Sequence, residues 1–518
     1  MLFALLIACG VESTLNPLGD NAPAPTDTGA APAPPTDTAG FGGGADSPGG
    51  SDGAGPSDDG SPDDGGSSDG GTTSGGAGDD GAGDGTVDTA PPDTGTPEDP
   101  YPSVDPCADA PEIDCPVDVL DPSPCATGVA AWLPTGAVYP AVQAALDDAL
   151  PGDTVAICPG TWSGGLTVST RGLILRGYGP TSTVLDGAGV GSTLTVSAPD
   201  VTVADLGVTG GSTAGSGGGI LGQGGALRLC ALDIAGNTAA YEGGGVYHSG
   251  GTLEVSGGTI DANTAGYQGG GIAAAASTAI LVGPSFSDNA ANYAGGGLFA
   301  DTAGSLALYD ATFTDNRTGY EGGAIAFNGS FAGPGACIVD TTFTANFADY
   351  AGGALSSNGW GSMSYSYERC TFSANTASFI GGAIAYQQWG TDLSVTVSSS
   401  FVGNVANIYG GAISLTGGWG LLDASFYDTT FDANRAGAEG GAIHAGGVGT
   451  EVVRLTDSAV TANTAGRAGA IAIDVTSTVE VTNVDFGAAS TDNAPDDIPG
   501  FSGWGAGASF RCATGVCL

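Results

Sequence analysis

The chain has 518 residues, a formal net charge of −46 and nine basic residues, all of them arginine. Such a surface repels nucleic acid, and it repels acidic polysaccharide unless a cation bridges the two. Its composition splits it into a Gly/Asp/Ser/Pro-rich first fifth with hardly an aromatic and a long remainder that holds the aromatic residues and the repeats.

The first element is the apolar run Leu2 to Ala8, too short to span a bilayer. It leads into Leu6-Ile7-Ala8-Cys9, which resembles the lipobox of bacterial lipoproteins. The resemblance implies cleavage before Cys9 and acylation of Cys9. With Gly10 next rather than Asp, it also implies sorting to the outer membrane and display at the cell surface. No basic residue precedes the run, which we read as a start placed too late. Residues 1–9 are thus a signal segment. Residues 10–105 cannot bury enough apolar surface to fold and read as a disordered, acidic spacer. Its acidity reads as solubility of a surface protein, with loose Ca2+ binding by the pairs Asp58-Asp59, Asp63-Asp64 and Asp79-Asp80 as the alternative; none has the Asp-x-Asp-x-Asp-Gly ligand spacing. No other cofactor or metal is expected.

Residues 106–160 read as an N-terminal cap and first strand. Val142, Leu146 and Leu150 share one helical face, and Pro151-Gly152 ends that helix. It would cover strand edges that the first coil of a solenoid leaves unpaired. The stretch Val142 to Val155, followed by Cys158-Pro159-Gly160-Thr161-Trp162, resembles the entry of right-handed parallel β-helices of the pectate-lyase type. Leu173 to Leu175 and Val201 to Val203 read as strands of early, irregular coils.

Residues 161–490 carry the repeats. An Asn recurs at positions 237, 263, 289, 316, 346, 375, 404, 434 and 463, at spacings of 26 to 30 residues. Three residues before it stands an apolar residue: Ile234, Ile260, Phe286, Phe313, Phe343, Phe372, Phe401, Phe431 or Val460. After it comes a glycine step into an aliphatic, as in Gly322-Gly323-Ala324-Ile325. The last copy, Ala468-Gly469-Ala470-Ile471, is one residue shorter and lacks a glycine. A period in this range marks a solenoid, each coil burying its face against its neighbours. Gly, Thr, Val, Ser and Phe without long 3.6-residue periodicity select an all-β solenoid. We expect a right-handed parallel β-helix. The apolar residue at Asn−3 stacks inward, and Asn237, Asn263, Asn289, Asn316, Asn346, Asn375, Asn404, Asn434 and Asn463 form a structural ladder at a turn, where Asn tolerates positive φ. Residues 491–518 form a C-terminal cap.

This phrase resembles the FxxN and GGA[ILV] repeats of the polymorphic outer membrane proteins over about residues 230–475. The resemblance implies a surface protein used for adhesion. Members of that family usually end in an autotransporter barrel. Too few residues follow the repeats to build one, so the lipid is expected to serve as anchor.

Cys230, Cys337 and Cys370 share the parity of the inward residues Ile234, Phe343 and Phe372 and read as buried free thiols. Cys107, Cys115, Cys125, Cys158, Cys512 and Cys517 remain, an even number that an exported protein can oxidise. Signals for catalysis are sparse. The Arg-x-Lys of polygalacturonases is absent because there is no lysine, and the pairs Asp147-Asp148 and Asp496-Asp497 lie off the regular coils. His248 and His444 read as solvated turn residues. Single acids such as Asp310, Asp340, Asp392 and Asp428 are free to converge in space.

Two aromatic registers offer a binding platform. Tyr241, Tyr267, Tyr293, Tyr320 and Tyr350, then Phe379, stand at Asn+4, and Trp360, Trp389 and Trp419 follow the glycines of three adjacent coils. Coils stack about 4.8 Å apart, so each set makes a ladder. A ladder either stabilises its turn or makes an exposed platform for sugar rings or a protein partner. The expectation is a monomeric, lipid-anchored binding module for a glycan or a surface protein, with a polysaccharide lyase or glycoside hydrolase as the alternative.

Overall fold

The computed structural model describes residue 107 and residues 109–126, 128–301, 305–329, 335–359, 362–388, 390–418, 420–498, 508–513 and 516–517. Cys9, the signal segment, the spacer with its acidic pairs, and Trp360, Trp389 and Trp419 lie outside the described residues.

The chain winds into a parallel β-helix of about 11 turns. One coil shows the plan. Strands Ile325–Gly329 and Ala336–Val339 lie on one broad sheet, Thr342–Thr344 on a second and Phe347–Ala348 on a third. Each pairs in parallel with its equivalents one coil away, for example Phe313 with Phe343 and Phe343 with Phe372. The second sheet holds 12 strands and the third 9 among the described residues.

The repeat residues build the core directly. Phe286, Phe313, Phe343, Phe372, Phe401 and Phe431 are fully buried, and their rings stack with centroids 4.4–5.2 Å apart. All nine repeat Asn side chains are buried. Asn346 is representative: its Nδ2 donates to Phe313 O at 2.9 Å and to Asn375 Oδ1 at 3.0 Å. Its Oδ1 accepts from the backbone N–H of Asn316 at 3.0 Å and from Asn316 Nδ2 at 3.1 Å. The backbone conformation differs from expectation by one position. The left-handed residue is the one before the Asn, as at Ala345 (φ 55°), Ala374 (φ 54°) and Asp315 (φ 54°). The corner bends there so that the Asn side chain turns inward and reaches the backbone of the neighbouring coil. The Gly-Gly step has a steric cause: a Cβ on Gly353 would lie 2.2 Å from Gly382 O, and Gly352 sits at φ +64°.

Both ends are covered. The helix spans Val142–Asp148 and buries Val142, Ala145 and Leu146. Gln143 donates to Thr167 O at 3.1 Å and accepts from Thr167 N at 2.9 Å, so one side-chain amide pairs with the strand edge. Leu150 does not share the buried face: it is 67% exposed, because Ala149 is already extended (ψ 137°). At the other end Ala508–Ala513 pairs antiparallel with Thr478–Val484. The Asn ladder also runs one rung further than its phrase, to buried Asn493 and then Asp497. Asp497 is therefore part of a coil corner.

The disulfides join Cys107 to Cys337, Cys115 to Cys230, Cys125 to Cys158 and Cys512 to Cys517, while Cys370 is free and buried. Cys230 and Cys337 are thus not free thiols. A left-handed corner residue, Ala231 (φ 50°) or Asp340 (φ 50°), stands between each of them and the residue from which parity was counted. That corner resets the alternation, so Leu229 and Ile338 face the core and the cysteines face out. No such corner separates Cys370 from Phe372, and burial pushes its thiol up to about 12, which leaves it inert.

Glu451 is fully buried; its Oε2 accepts from Ser477 Oγ at 3.0 Å, while Oε1 has no hydrogen-bond partner. Burial raises its carboxyl above the usual range. A raised folded-state pKa means the folded chain holds this proton more tightly than the unfolded chain. The stability it supports is intact below the unfolded pKa and is lost as pH rises through the folded one. Glu451→Gln should therefore stabilise the protein at pH 8 by about 1–3 kcal/mol and change little at pH 4. Urea melts at the two pH values check this, and an equal effect at both contradicts it.

Candidate functional site

The tyrosine register lies where the third sheet turns back into the first. The rings of Tyr267, Tyr293, Tyr320 and Tyr350 stack at centroid distances of 5.0, 5.3 and 4.7 Å. Phe379 continues the row at 5.4 Å, tilted by 44°. Tyr241 is 62% and Tyr267 43% exposed, and Tyr293, Tyr320 and Tyr350 are half-buried. A stacked ring has both faces occupied. The row therefore offers ring edges and hydroxyls rather than faces to a ligand.

The next residue varies from coil to coil, and at Glu321 it is a buried carboxylate, 4% exposed. Asn358 Nδ2 donates to its two oxygens at 3.0 and 3.3 Å, and Gln387 Nε2 donates to Oε1 at 3.3 Å. These amides come from the following two coils, whose strands pair Asn358 with Gln387. Burial raises the Glu321 carboxyl, and the two amides oppose that rise. Burial and then the Glu321 charge push the Tyr320 phenol up to about 12. The result is one fixed acceptor, Glu321, held by amides from two successive coils, beside tyrosine hydroxyls that recur at coil spacing. Further along the same face, Tyr409 stacks on His444 at 4.5 Å. His444 is thus covered rather than solvated, and burial lowers its pKa. His248 is buried as well, on the inward side of Val246–Ser256. Ser414 pairs with His444 across one coil, but its hydroxyl is buried without a partner, out of reach of any substrate.

A second cluster lies at the corner between the first and second sheets. A cavity of about 230 Å³ is lined by Asp109, Asp310, Asp340, Glu368 and Arg369, beside Cys107. Arg369 grips Asp340 at 2.8 and 2.7 Å and also meets Glu368. The guanidinium holds the Asp340 carboxyl below its usual range, and Asp340 in turn keeps Arg369 protonated. An arginine held in that state cannot take a proton from a sugar ring. Among the described residues no three His, Cys, Asp or Glu side chains group to hold a metal ion.

Of the residues expected at a site, the structure brings Tyr267, Tyr293, Tyr320 and Tyr350 into one stacked row and gathers Asp310 and Asp340 at one corner; Asp428 is not among that corner's lining. Sequence reasoning missed Glu321, Asn358 and Gln387. The signal was present at Asn+5, where Glu242, Gln268, Glu321 and Glu439 stand in a register otherwise filled by Ala, Ile and Tyr.

No protein-family model matches the chain, and no curated protein matches it. Two solved structures are similar in part. A PL6 alginate lyase in complex with a trisaccharide shows 12% identity over 73% of this chain and 87% of its own, with a TM-score of 0.32. A pectin methylesterase from Yersinia enterocolitica shows 13% identity over 51% of this chain and 79% of its own, with a TM-score of 0.17. At these values neither adds to the parallel β-helix described above or bears on its chemistry.

Proposed function

We propose that the chain is a surface-displayed binding module, tethered through a lipid at Cys9, that holds an uncharged glycan along the tyrosine row. The observation that carries this reading is Glu321, buried at the foot of Tyr320 and fixed by Asn358 and Gln387. Tyrosine hydroxyls, amides and a carboxylate at regular coil spacing suit a chain of sugar hydroxyls, which are both donors and acceptors. The charge of −46 weighs against an acidic polymer. The repeat phrase, which resembles that of the polymorphic outer membrane proteins, agrees with adhesion, and Leu6-Ile7-Ala8-Cys9 agrees with the anchor. Trp360, Trp389 and Trp419, outside the described residues, stand as a second candidate register in this proposal.

A polysaccharide lyase or hydrolase is the second reading. It is favoured by the gathering of Asp310, Asp340 and Glu368 with Arg369, and weakened by the ion pairs that occupy that arginine. A glycan array of the full chain, run beside an assay for unsaturated uronate and new reducing ends, separates the two. Binding without turnover supports the module. Turnover lost in Asp310→Asn supports the enzyme.

A further inference from the structure

Three disulfides tie the segment before the β-helix to its coils, from the first coil at Cys158 to one far along it at Cys337. Their sequence separations are 230, 115 and 33 residues, and they are nested: Cys107–Cys337 encloses Cys115–Cys230, which encloses Cys125–Cys158. The segment runs against the direction of the coils, from the coil of Cys337 back to that of Cys158. Cys107 is buried against Tyr309 and Val339. Beyond it the segment is largely exposed, with Val117 at 90% and Val119 at 96%. The covalent staples, rather than apolar burial, hold that stretch in place.

We infer that this nested set routes tension. A pull arriving along the chain from the N-terminal side reaches Cys107 and passes through the disulfide into the coil of Cys337. Residues 108–336 then form a closed loop that carries no load, and the cap helix Val142–Asp148 and the early coils stay outside the path. Force enters at the strand Ala336–Val339, between the coils of Tyr320 and Tyr350. Without all three staples it would enter at the cap and peel coils in order, since each coil of a solenoid is held only by its neighbours. If the outer disulfide is absent, the next one takes over and moves the entry point to Cys230. The inference rests on covalent connectivity alone. Its place in adhesion rests on the proposed function, because a ligand on the tyrosine row then loads few coils between itself and the tether.

Single-molecule force spectroscopy of the full chain, held at its two ends without reductant, tests it. At about 3.6 Å per extended residue, unfolding should release roughly 650 Å, the length of residues 338–518. In Cys107→Ser/Cys337→Ser the release should grow to roughly 1,050 Å, because Cys115–Cys230 then sets the limit. Wild type with reductant should release roughly 1,500 Å and supplies the comparison if the variant does not fold. A release near 1,500 Å from the unreduced wild type overturns the inference, as does a release that neither the variant nor reductant lengthens. The readout is a length and involves no ligand, so its outcome is independent of glycan binding.

Discussion

Asn346→Ala is expected to destabilise the protein by roughly 3–5 kcal/mol, because several buried groups lose their partners at once. The change removes the donor to Phe313 O and one donor to Asn375 Oδ1, and it removes the acceptor of both Asn316 N and Asn316 Nδ2. Water cannot replace them, since Asn316, Asn346 and Asn375 are all fully buried. The damage should also spread. The Asn ladder is one of the links between adjacent coils, and in a solenoid a weakened interface uncouples the coils on either side. Hydrogen exchange should therefore show a local opening centred on residues 313–376, and urea melts should lose cooperativity. An unchanged midpoint and exchange pattern would show that the ladder contributes no stability.

The second large effect belongs to the phenylalanine stack. Phe372 is fully buried, with Phe343 at 4.8 Å on one side and Phe401 at 4.6 Å on the other. Tyr367 meets its edge at 6.1 Å. Phe372→Ala should cost about 3–5 kcal/mol, combining lost burial with a cavity between two rings that the backbone spacing keeps apart. Phe372→Leu fills most of that volume and should cost less than about 2 kcal/mol. Equilibrium denaturation of both variants checks this, and equal costs would mean that the filled volume plays no part and the stacked ring carries the whole effect.

The sequence carried the repeating interior clearly because its physics is local and recurs. An inward Phe, a bridging Asn and a glycine that cannot bear a Cβ are each required again in every coil, so the spacing from Asn237 to Asn463 sufficed to infer them. What failed was alternation carried across a corner. Counting by twos from Phe343 to Cys337 assumed a continuous strand, whereas Asp340 is left-handed and reverses the sides. Positive φ was assigned to the Asn because that residue type tolerates it, whereas its predecessor, as at Ala345, makes the corner. Asn493 was missed because the residue three before it is Ser490 instead of an apolar one, although the spacing of 30 residues was regular. The candidate site was half legible. The tyrosines recur and were found. Glu321, Asn358 and Gln387 come from three successive coils and occur as a set only once, and nothing periodic announces a set that occurs once.

The claim that the tyrosine row is a glycan-binding surface is tested most directly by one measurement: binding of the full chain and of its Glu321→Ala variant to an array of uncharged glycans, with the melting temperature of each recorded alongside. The account predicts that the wild type retains a subset of these glycans. In the variant that retention should fall at least tenfold, the equivalent of about 1.4 kcal/mol, while the fold persists, because Glu321 belongs to no part of the Phe stack or the Asn ladder. Absence of binding by the wild type, or binding that Glu321→Ala leaves unchanged, would contradict it.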